Sequence, residues 1–265
     1  MNKKKMIILT ILIFSIASIF ADIKPEKKAL LMATLWQQTS AEYRALAYQA
    51  FNIAKLRLDE DLQIQRSEKR AIIVDLDETV LDNSLYQART ILEDETEILK
   101  FTEWVELAAA KAIPGAHEFL NYANEKGVDI FYISNRNLCY LEGTLENVKK
   151  LGFPQAQEDH ILLRENHYSN KGPRRQIVAE NHYIVLLMGD NLIDFNDVFR
   201  KSSIKKRFEE ADKLKDEFGK KFIVLPNPMY GEWEKTLYGG TSKIPDEEKE
   251  KKRLENLKLF KAKYE

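Results

Sequence analysis

Short apolar runs alternate along the chain with longer segments in which apolar residues recur every three or four positions. The short runs are rich in β-branched residues and predict buried strands over residues 70–75, 128–133, 160–163, 183–188 and 221–225. The longer segments predict helices over residues 26–61, 84–112, 139–151, 173–181 and 203–218. Strands that alternate with helices are typical of a parallel sheet covered by helices on both faces, so the pattern predicts an α/β fold.

Two details refine the helices. Ser40 is a candidate N-cap and would start a second helix within residues 26–61. The Lys- and Glu-rich segment 244–265 predicts a solvated helix, with Leu254, Leu257 and Phe260 on a packing face.

The first 21 residues differ from the rest of the chain. Three lysines precede an almost wholly apolar run of 16 residues from Met6 to Ala21, and a polar stretch follows. This order is typical of a secretory signal peptide, with cleavage after Ala21 or, alternatively, after Ala17. An uncleaved anchor is the other interpretation, but the run is shorter than the roughly 20 residues that span a bilayer. We therefore predict a signal peptide at 1–21 and an exported domain at 22–265, periplasmic or secreted.

Composition excludes several classes of protein. With a single cysteine, an exported chain must be stable without an internal disulfide. The net charge of −1 provides no basic field for binding a nucleic-acid polymer. The glycine-rich phosphate loops of dinucleotide-binding and P-loop proteins are missing from the sequence, and its four histidines lack zinc-ligand spacing.

Reactive polar residues follow three of the predicted strands. The segments are 75–83 after the first strand, 134–136 after the second and 189–195 after the fourth. Ligands of open α/β sheets bind at the carboxyl ends of strands, and carboxylates crowded there repel unless a cation neutralises them. Asp75 and Asp190, with Asp194 as a further candidate, would converge on a hard divalent ion such as Mg²⁺. An EF-hand is excluded because Val80 stands where that loop needs glycine.

These segments resemble the four motifs of the haloacid dehalogenase (HAD) superfamily of phosphatases. The matching residues are Asp75-x-Asp77-x-Thr79, Ser134-Asn135, a lysine, and Gly189-Asp190-x-x-x-Asp194. The four aspartates resemble those of the DDDD subgroup. The amino-acid sequence around them, from about Trp36 to Trp233, is similar to that of the class C acid phosphatases. The resemblance implies a three-layer Rossmann-like fold with a central parallel sheet, N-terminal helices and a small helical cap insert at about 84–112.

The resemblance also implies roles for the aspartates. Asp75 would be the nucleophile that forms an aspartyl-phosphate. Asp77 would be the general acid and then the base, and its backbone carbonyl would ligate Mg²⁺. Asp190 would bind the metal directly and Asp194 through a water.

Further residues would bind the substrate if the resemblance holds. Ser134 and Asn135 would hydrogen-bond the phosphoryl oxygens. Lys171 best fits the phosphate-binding lysine of the family, with Arg174 and Arg175 as alternatives. A second set would contact the leaving group: Phe101 and Tyr230 would sandwich a nucleobase, although helical spacing equally fits Phe101 as a core residue.

The resemblance thus implies a Mg²⁺-dependent acid phosphatase, acting on small-molecule phosphomonoesters such as nucleoside 5′-monophosphates, and a homodimer with its interface at helix 26–61. Two alternatives remain: a non-catalytic exported binding protein on the same fold, and a phosphotransferase. Relatives of this kind are typically lipid-anchored, whereas here no cysteine stands directly after the apolar run. Membrane association would therefore come only from an uncleaved N-terminal segment.

Overall fold

A computed structural model describes residues 25–93, 97–165, 168–200 and 203–260. The predicted signal peptide lies outside these residues. Among the helices in the described ranges, none is long and apolar enough to cross a membrane.

The centre of the molecule is a parallel sheet. The strands in the described residues are β1 (Lys69–Val74), β2 (Leu81–Asp82), β3 (Lys111–Ala112), β4 (Asp129–Asn137), β5 (Ile161–Arg164), β6 (His182–Gly189) and β7 (Phe222–Val224). Five of them form the sheet in the order β5-β4-β1-β6-β7, with every neighbouring pair parallel. Because β1 lies between β4 and β6, the three strands followed by reactive residues end side by side.

Helices connect and cover the strands. They are α1 (Pro25–Thr39), α2 (Ala41–Leu62), α3 (Ser84–Leu92), α4 (Glu97–Leu107), α5 (Ala116–Glu125), α6 (Leu141–Lys150), α7 (Gly172–Ala179), α8 (Ile204–Lys213), α9 (Glu232–Leu237) and α10 (Asp246–Glu255). The predicted break at Ser40 is confirmed, since its hydroxyl accepts a hydrogen bond from the Tyr43 amide at 3.1 Å and caps α2.

Each face of the sheet has its own core. Ile72 and Val74 of β1 pack into a large cluster with side chains of α2, α5 and α6. Ala71 and Ile73 of the same strand point to the opposite face, into a smaller cluster that includes Val178 of α7. Side chains of a strand alternate between faces, so a strand covered on both is apolar throughout. The predicted α/β fold with a central parallel sheet is confirmed.

Three predictions of secondary structure were wrong in part. The segment 84–112 contains two helices and also β3, which pairs with β2 in an antiparallel ribbon. Helix α5 was missed, although Ala116, Phe119, Leu120 and Ala123 are buried along one of its sides.

At the C-terminal end, α10 ends at Glu255, and Leu254, Leu257 and Phe260 are exposed rather than packed.

Candidate active site

The carboxylates predicted from the strand ends lie together at one edge of the sheet. Asp75 directly follows β1, and its backbone amide donates to the carbonyl of Met188 in β6 at 2.9 Å. Asp190 directly follows β6, and Asp194 returns towards it. A Cβ on Gly189 would lie 2.4 Å from a carboxylate oxygen of Asp194, so only glycine allows this close approach.

Lys171 bridges two of these carboxylates. Its Nζ lies 2.6 Å from Oδ1 of Asp75 and 2.7 Å from Oδ1 of Asp194, and its side chain is 4% exposed. Burial opposes the charged ammonium, yet the attraction of the two carboxylates outweighs it and raises the pKa of Lys171. The lysine is therefore held charged, at the residue before α7.

Asp75, Asp190 and Asp194 each direct a carboxylate oxygen into a cluster whose atoms lie within 4.8 Å of one another. Burial, more than the neighbouring acids, raises the pKa of Asp75 to about 7. Burial and then Asp194 raise the pKa of Asp190 well above its usual range. Carboxylates that resist ionisation together favour a cation, and an oxygen-only donor set fits a hard divalent metal ion.

Neutral groups hold the cluster in place. Asn227 donates from Nδ2 to Asp190 at 2.8 Å, and the Thr79 hydroxyl lies 3.5 Å from the other oxygen of Asp190. The backbone amide of Asn191 donates to Asp194 at 3.0 Å. Sequence reasoning missed Asn227, which precedes a proline just beyond the last strand.

Asp77 faces a different set of partners. The guanidinium of Arg136 donates to it through Nε and Nη2, the closest contact being 2.8 Å. Asn83 donates to it from Nδ2 at 2.8 Å, and the Ser134 hydroxyl lies 3.3 Å away. Although burial opposes ionisation, Arg136 and Asn83 together lower the pKa of Asp77. The two aspartates that follow β1 therefore have opposite pKa shifts.

Arg136 is the last residue of the reactive segment 134–136, but sequence reasoning gave it no role. Its side chain is 2% exposed, and besides Asp77 it donates to the Thr144 hydroxyl at 3.0 Å. The signal available in the sequence was an arginine directly after a Ser-Asn pair at the end of a predicted strand.

The three candidate cations after β5 have separate partners. Arg174 donates from Nη2 to Oδ1 of Asn135 at 2.7 Å and from Nη1 to the carbonyl of Ser134. Arg175 donates to the carbonyls of Ile193 and Asp194 instead. Of the three, Lys171 is the one that forms ion pairs with the carboxylate cluster.

The carboxylate cluster lies in the wall of a cavity with a volume of about 980 Å³. The predicted aromatic pair, Phe101 and Tyr230, lines this cavity as well. Phe101 of α4 is half-buried and makes edge-to-face contacts with Tyr86 and Tyr140, at centroid distances of 5.3 and 5.4 Å. Phe101 therefore packs against other rings and also lines the cavity. Tyr230 approaches from the segment between β7 and α9.

A buried glutamate anchors Tyr230. The Tyr230 hydroxyl donates to Oε2 of Glu78, and the Asn83 backbone amide donates to Oε1 at 3.0 Å. Asn83 in turn accepts a 2.7 Å hydrogen bond from Nε1 of Trp104 in α4. Burial, with Asp77 and Asp190 nearby, raises the pKa of Glu78 well above its usual range. Glu78 was missed, since nothing in its sequence neighbourhood separates it from an ordinary turn residue.

Comparison with known proteins agrees with this arrangement. A family model described as HAD superfamily, subfamily IIIB (acid phosphatase) matches residues 18–233. Two solved structures of the class C acid phosphatase from Bacillus anthracis, one with tungstate bound, are each 45% identical with a TM-score of 0.86. Each alignment covers 89% of this chain and 99% of the other.

A more distant relative is the stem 31 kDa glycoprotein of Glycine max. It is 29% identical over 166 residues, which cover 60% of this chain and 58% of the glycoprotein.

The fold is that of a HAD phosphatase. The chain belongs to subfamily IIIB of that superfamily, the acid phosphatases, because the family model matches most of its length. Among the class C enzymes, it is similar over nearly its whole length to the one from Bacillus anthracis. The family is one of phosphoric monoester hydrolases, so the predicted family and enzyme class are confirmed.

Proposed function

We propose that this protein is an exported, Mg²⁺-dependent acid phosphatase that hydrolyses nucleoside 5′-monophosphates through an aspartyl-phosphate. The observation that carries the proposal is the bridge of Lys171 between Asp75 and Asp194 at the edge of the sheet. A cation between two acids at the floor of a cavity suits a dianionic phosphoryl group, whose transition state needs charge neutralisation more than covalent help.

The first step would be attack on phosphorus by a carboxylate oxygen of Asp75, with loss of the alcohol. Asp77 would donate a proton to the leaving oxygen and later remove one from the attacking water. Arg136 and Asn83 lower the pKa of Asp77, so its carboxyl is protonated only at low pH and proton donation by Asp77 would favour acidic conditions.

Other residues would orient the phosphoryl group. The Ser134 hydroxyl and the Asn135 amide would hydrogen-bond its oxygens, with Asn135 held by Arg174 at 2.7 Å. Lys171 would bind the same oxygens once the substrate has separated it from the carboxylates. Each of these groups is attached to a strand end or to the start of a helix, which supports a site that needs little rearrangement.

The metal would be held by the carboxylates of Asp75 and Asp190, by the backbone carbonyl of Asp77 and, through a water, by the carboxylate of Asp194. When bound, Mg²⁺ would neutralise charge on the phosphoryl oxygens. The raised pKa values of Asp75 and Asp190 support this assignment, because a bound cation would offset the burial and the mutual repulsion that disfavour their ionised forms.

The leaving group would stack between Phe101 and Tyr230, each of which lines the cavity. Stacking of a base on an aromatic side chain contributes about 1–3 kcal/mol and tolerates different bases. The substrate would therefore be any of several nucleotides.

Export and dimerisation complete the proposal. The N-terminal 21 residues would direct export to the periplasm or the medium, where removing phosphate from a nucleotide yields a nucleoside that can be transported. A homodimer through α1 and α2 is supported by exposed apolar side chains on these helices: Met32, Leu35, Leu46 and Leu56. Sedimentation of the purified protein measures its oligomeric state.

The test is phosphate release by the purified protein from AMP, nicotinamide mononucleotide and p-nitrophenyl phosphate, with Mg²⁺ and with EDTA. We expect metal-dependent release that favours the nucleotides, and its loss in Asp75→Asn. Release without that preference would remove stacking of the leaving group between Phe101 and Tyr230 from the proposal. Turnover by Asp75→Asn would contradict the nucleophile, and added nucleoside as acceptor would reveal a phosphotransferase. No release from any substrate would support the binding-protein alternative.

A further inference from the structure

A second cavity, of about 280 Å³, lies beside the first. It shares part of its wall with the larger cavity and is lined by Tyr86, Phe101, Asn135, Arg136, Asn137, Tyr140 and Arg164. Among the described residues that line it, none is acidic, whereas two are arginines and two are asparagines. Donors of this kind surrounded by aromatic rings suit an anion on an otherwise apolar or planar molecule.

Arg164 is the cation in this wall that lacks a partner. It is the last residue of β5, opposite Asn137 of β4, and its Nε is buried without a hydrogen-bond partner in the described part of the chain. A buried donor left without a partner costs about 1–3 kcal/mol, so such an atom calls for a ligand.

Every other lysine or arginine that lines the two cavities has a partner. Arg136 is paired with Asp77, and Lys171 with Asp75 and Asp194. The remaining ones bind carboxylates or carbonyls elsewhere on the rim: Lys27, Lys100, Lys235, Lys249 and Arg253. Within the described ranges, Arg164 is therefore the one arginine or lysine around the cavities whose side chain has neither a hydrogen-bond nor an ion-pair partner.

Arg174 and Arg175 add to the positive electrostatic potential around Arg164. Burial lowers the pKa of Arg174 to about 10, and repulsion from Arg164 and Arg175 contributes in the same direction. Arginines that repel one another at the edge of an enclosed space favour binding of an anion between them.

We propose that Arg164, with Asn137 and the rings of Tyr86 and Tyr140, forms a subsite for a second phosphate carried by the leaving group of the substrate. This rests on the proposed function, since the first phosphate must occupy the site of Asp75 and Lys171. The substrate class is that of bisphosphorylated compounds, such as nucleoside 3′,5′-bisphosphates, which the enzyme would prefer to the monophosphates. The charge-assisted hydrogen bonds would come from an arginine whose backbone is held in β5.

The experiment compares adenosine 3′,5′-bisphosphate with AMP as substrates of the full chain and of the variant Arg164→Gln. Loss of hydrogen bonds to a charged group predicts a rise of about 10-fold or more in KM for the bisphosphate. KM and kcat for AMP should change less than about 2-fold, which also shows that the variant is folded. Arg44→Gln is the matched control, since Arg44 is exposed on α2 and its loss changes the net charge equally.

Two outcomes would overturn the subsite. An unchanged KM for the bisphosphate would show that Arg164 does not bind it. An equal loss for both substrates would place Arg164 on the transferred phosphoryl group instead.

Failure of the proposed function is distinguishable from both. If the unmodified protein releases phosphate from neither substrate, calorimetry of bisphosphate binding to the unmodified protein and to Arg164→Gln decides the subsite. Weaker binding by the variant supports the subsite, and equal binding refutes it.

Discussion

Replacing Lys171 by methionine isolates the charge at the centre of the site. Methionine keeps most of the length of the side chain and removes the ammonium that contacts Asp75 at 2.6 Å and Asp194 at 2.7 Å. What remains is a group of buried carboxylates without a counter-charge. We expect the metal-free variant to be less stable, and its stability to depend more strongly on both pH and Mg²⁺.

The size of the effect follows from the geometry. Two ionised carboxylates 4.8 Å apart, the outer limit of the cluster, repel by about 3.5 kcal/mol at an effective dielectric constant of about 20. Removing one member of a buried ion pair costs about 3–5 kcal/mol, which is of the same order. Part of the repulsion is avoided because the acids take up protons. We therefore expect a loss of about 3 kcal/mol at pH 8.

The sign of the pH dependence is fixed by the direction of the pKa shifts. The pKa of Asp75 is already about 7 with Lys171 present, and loss of the ammonium raises it further. An acid with a raised pKa in the folded state is a source of instability above its unfolded pKa. The deficit of the variant should therefore be larger at pH 8 than at pH 5, and it should grow above pH 7, where Asp75 ionises in the unmodified protein before it does so in the variant.

Urea unfolding in EDTA at pH 5 and pH 8, repeated with 10 mM Mg²⁺, measures these effects. Mg²⁺ should stabilise the variant more than the unmodified protein, because it meets one more uncompensated negative charge. Lys55→Met, which removes an exposed ion pair with Asp59, is the matched control and should change stability little. Equal stability of Lys171→Met and the unmodified protein at pH 8 in EDTA would refute the reasoning.

Three further predictions test other parts of the molecule. Asp61→Asn should cost about 2 kcal/mol at pH 7 in urea unfolding, because Arg66 and Arg70 both bind this buried carboxylate. Their hydrogen bonds outweigh burial and lower its pKa, so the deficit should vanish as pH falls through that pKa; a deficit that persists at pH 2 would contradict this. Asn147→Ala should lower the free energy of unfolding by about 2–4 kcal/mol in the same assay, since it leaves the backbone N–H and C=O of the buried Ala110 unpaired. Phe101→Leu should raise KM for AMP about 10-fold and leave that for glycerol phosphate unchanged, and equal changes would return Phe101 to a packing role.

The strands and the acidic cluster could be predicted from the sequence because each depends on local pattern. A strand buried on both faces is apolar throughout, and the run at 70–75 is of this kind. Asp75 and Asp190 follow such runs directly, Asp194 lies four residues beyond Asp190, and parallel strands end at a common edge. The sheet order, with β1 between β4 and β6, then places these three carboxylates together.

The partners of these residues could not be predicted in the same way. Asn227 reaches Asp190 from beyond β7, and Glu78 binds Tyr230 across 152 positions of sequence. Such contacts depend on where separate loops meet. The exposed Leu257 and Phe260 show the converse, since apolar spacing alone did not reveal that nothing among the described residues covers them.

The hydrogen bonds that run from Trp104 through Asn83 and Glu78 to Tyr230 have a consequence for protein engineering. They join α4, the loop after β1 and the segment after β7, so the predicted cap is not an independent module. Exchanging residues 84–112 with those of a relative that lacks this tryptophan would leave the side-chain oxygen of Asn83 without its donor. Asn83 would then hold Glu78 less firmly, and Glu78 in turn would hold the Tyr230 ring less firmly. A graft intended to change substrate preference should therefore carry all four side chains together, although they come from three distant parts of the sequence.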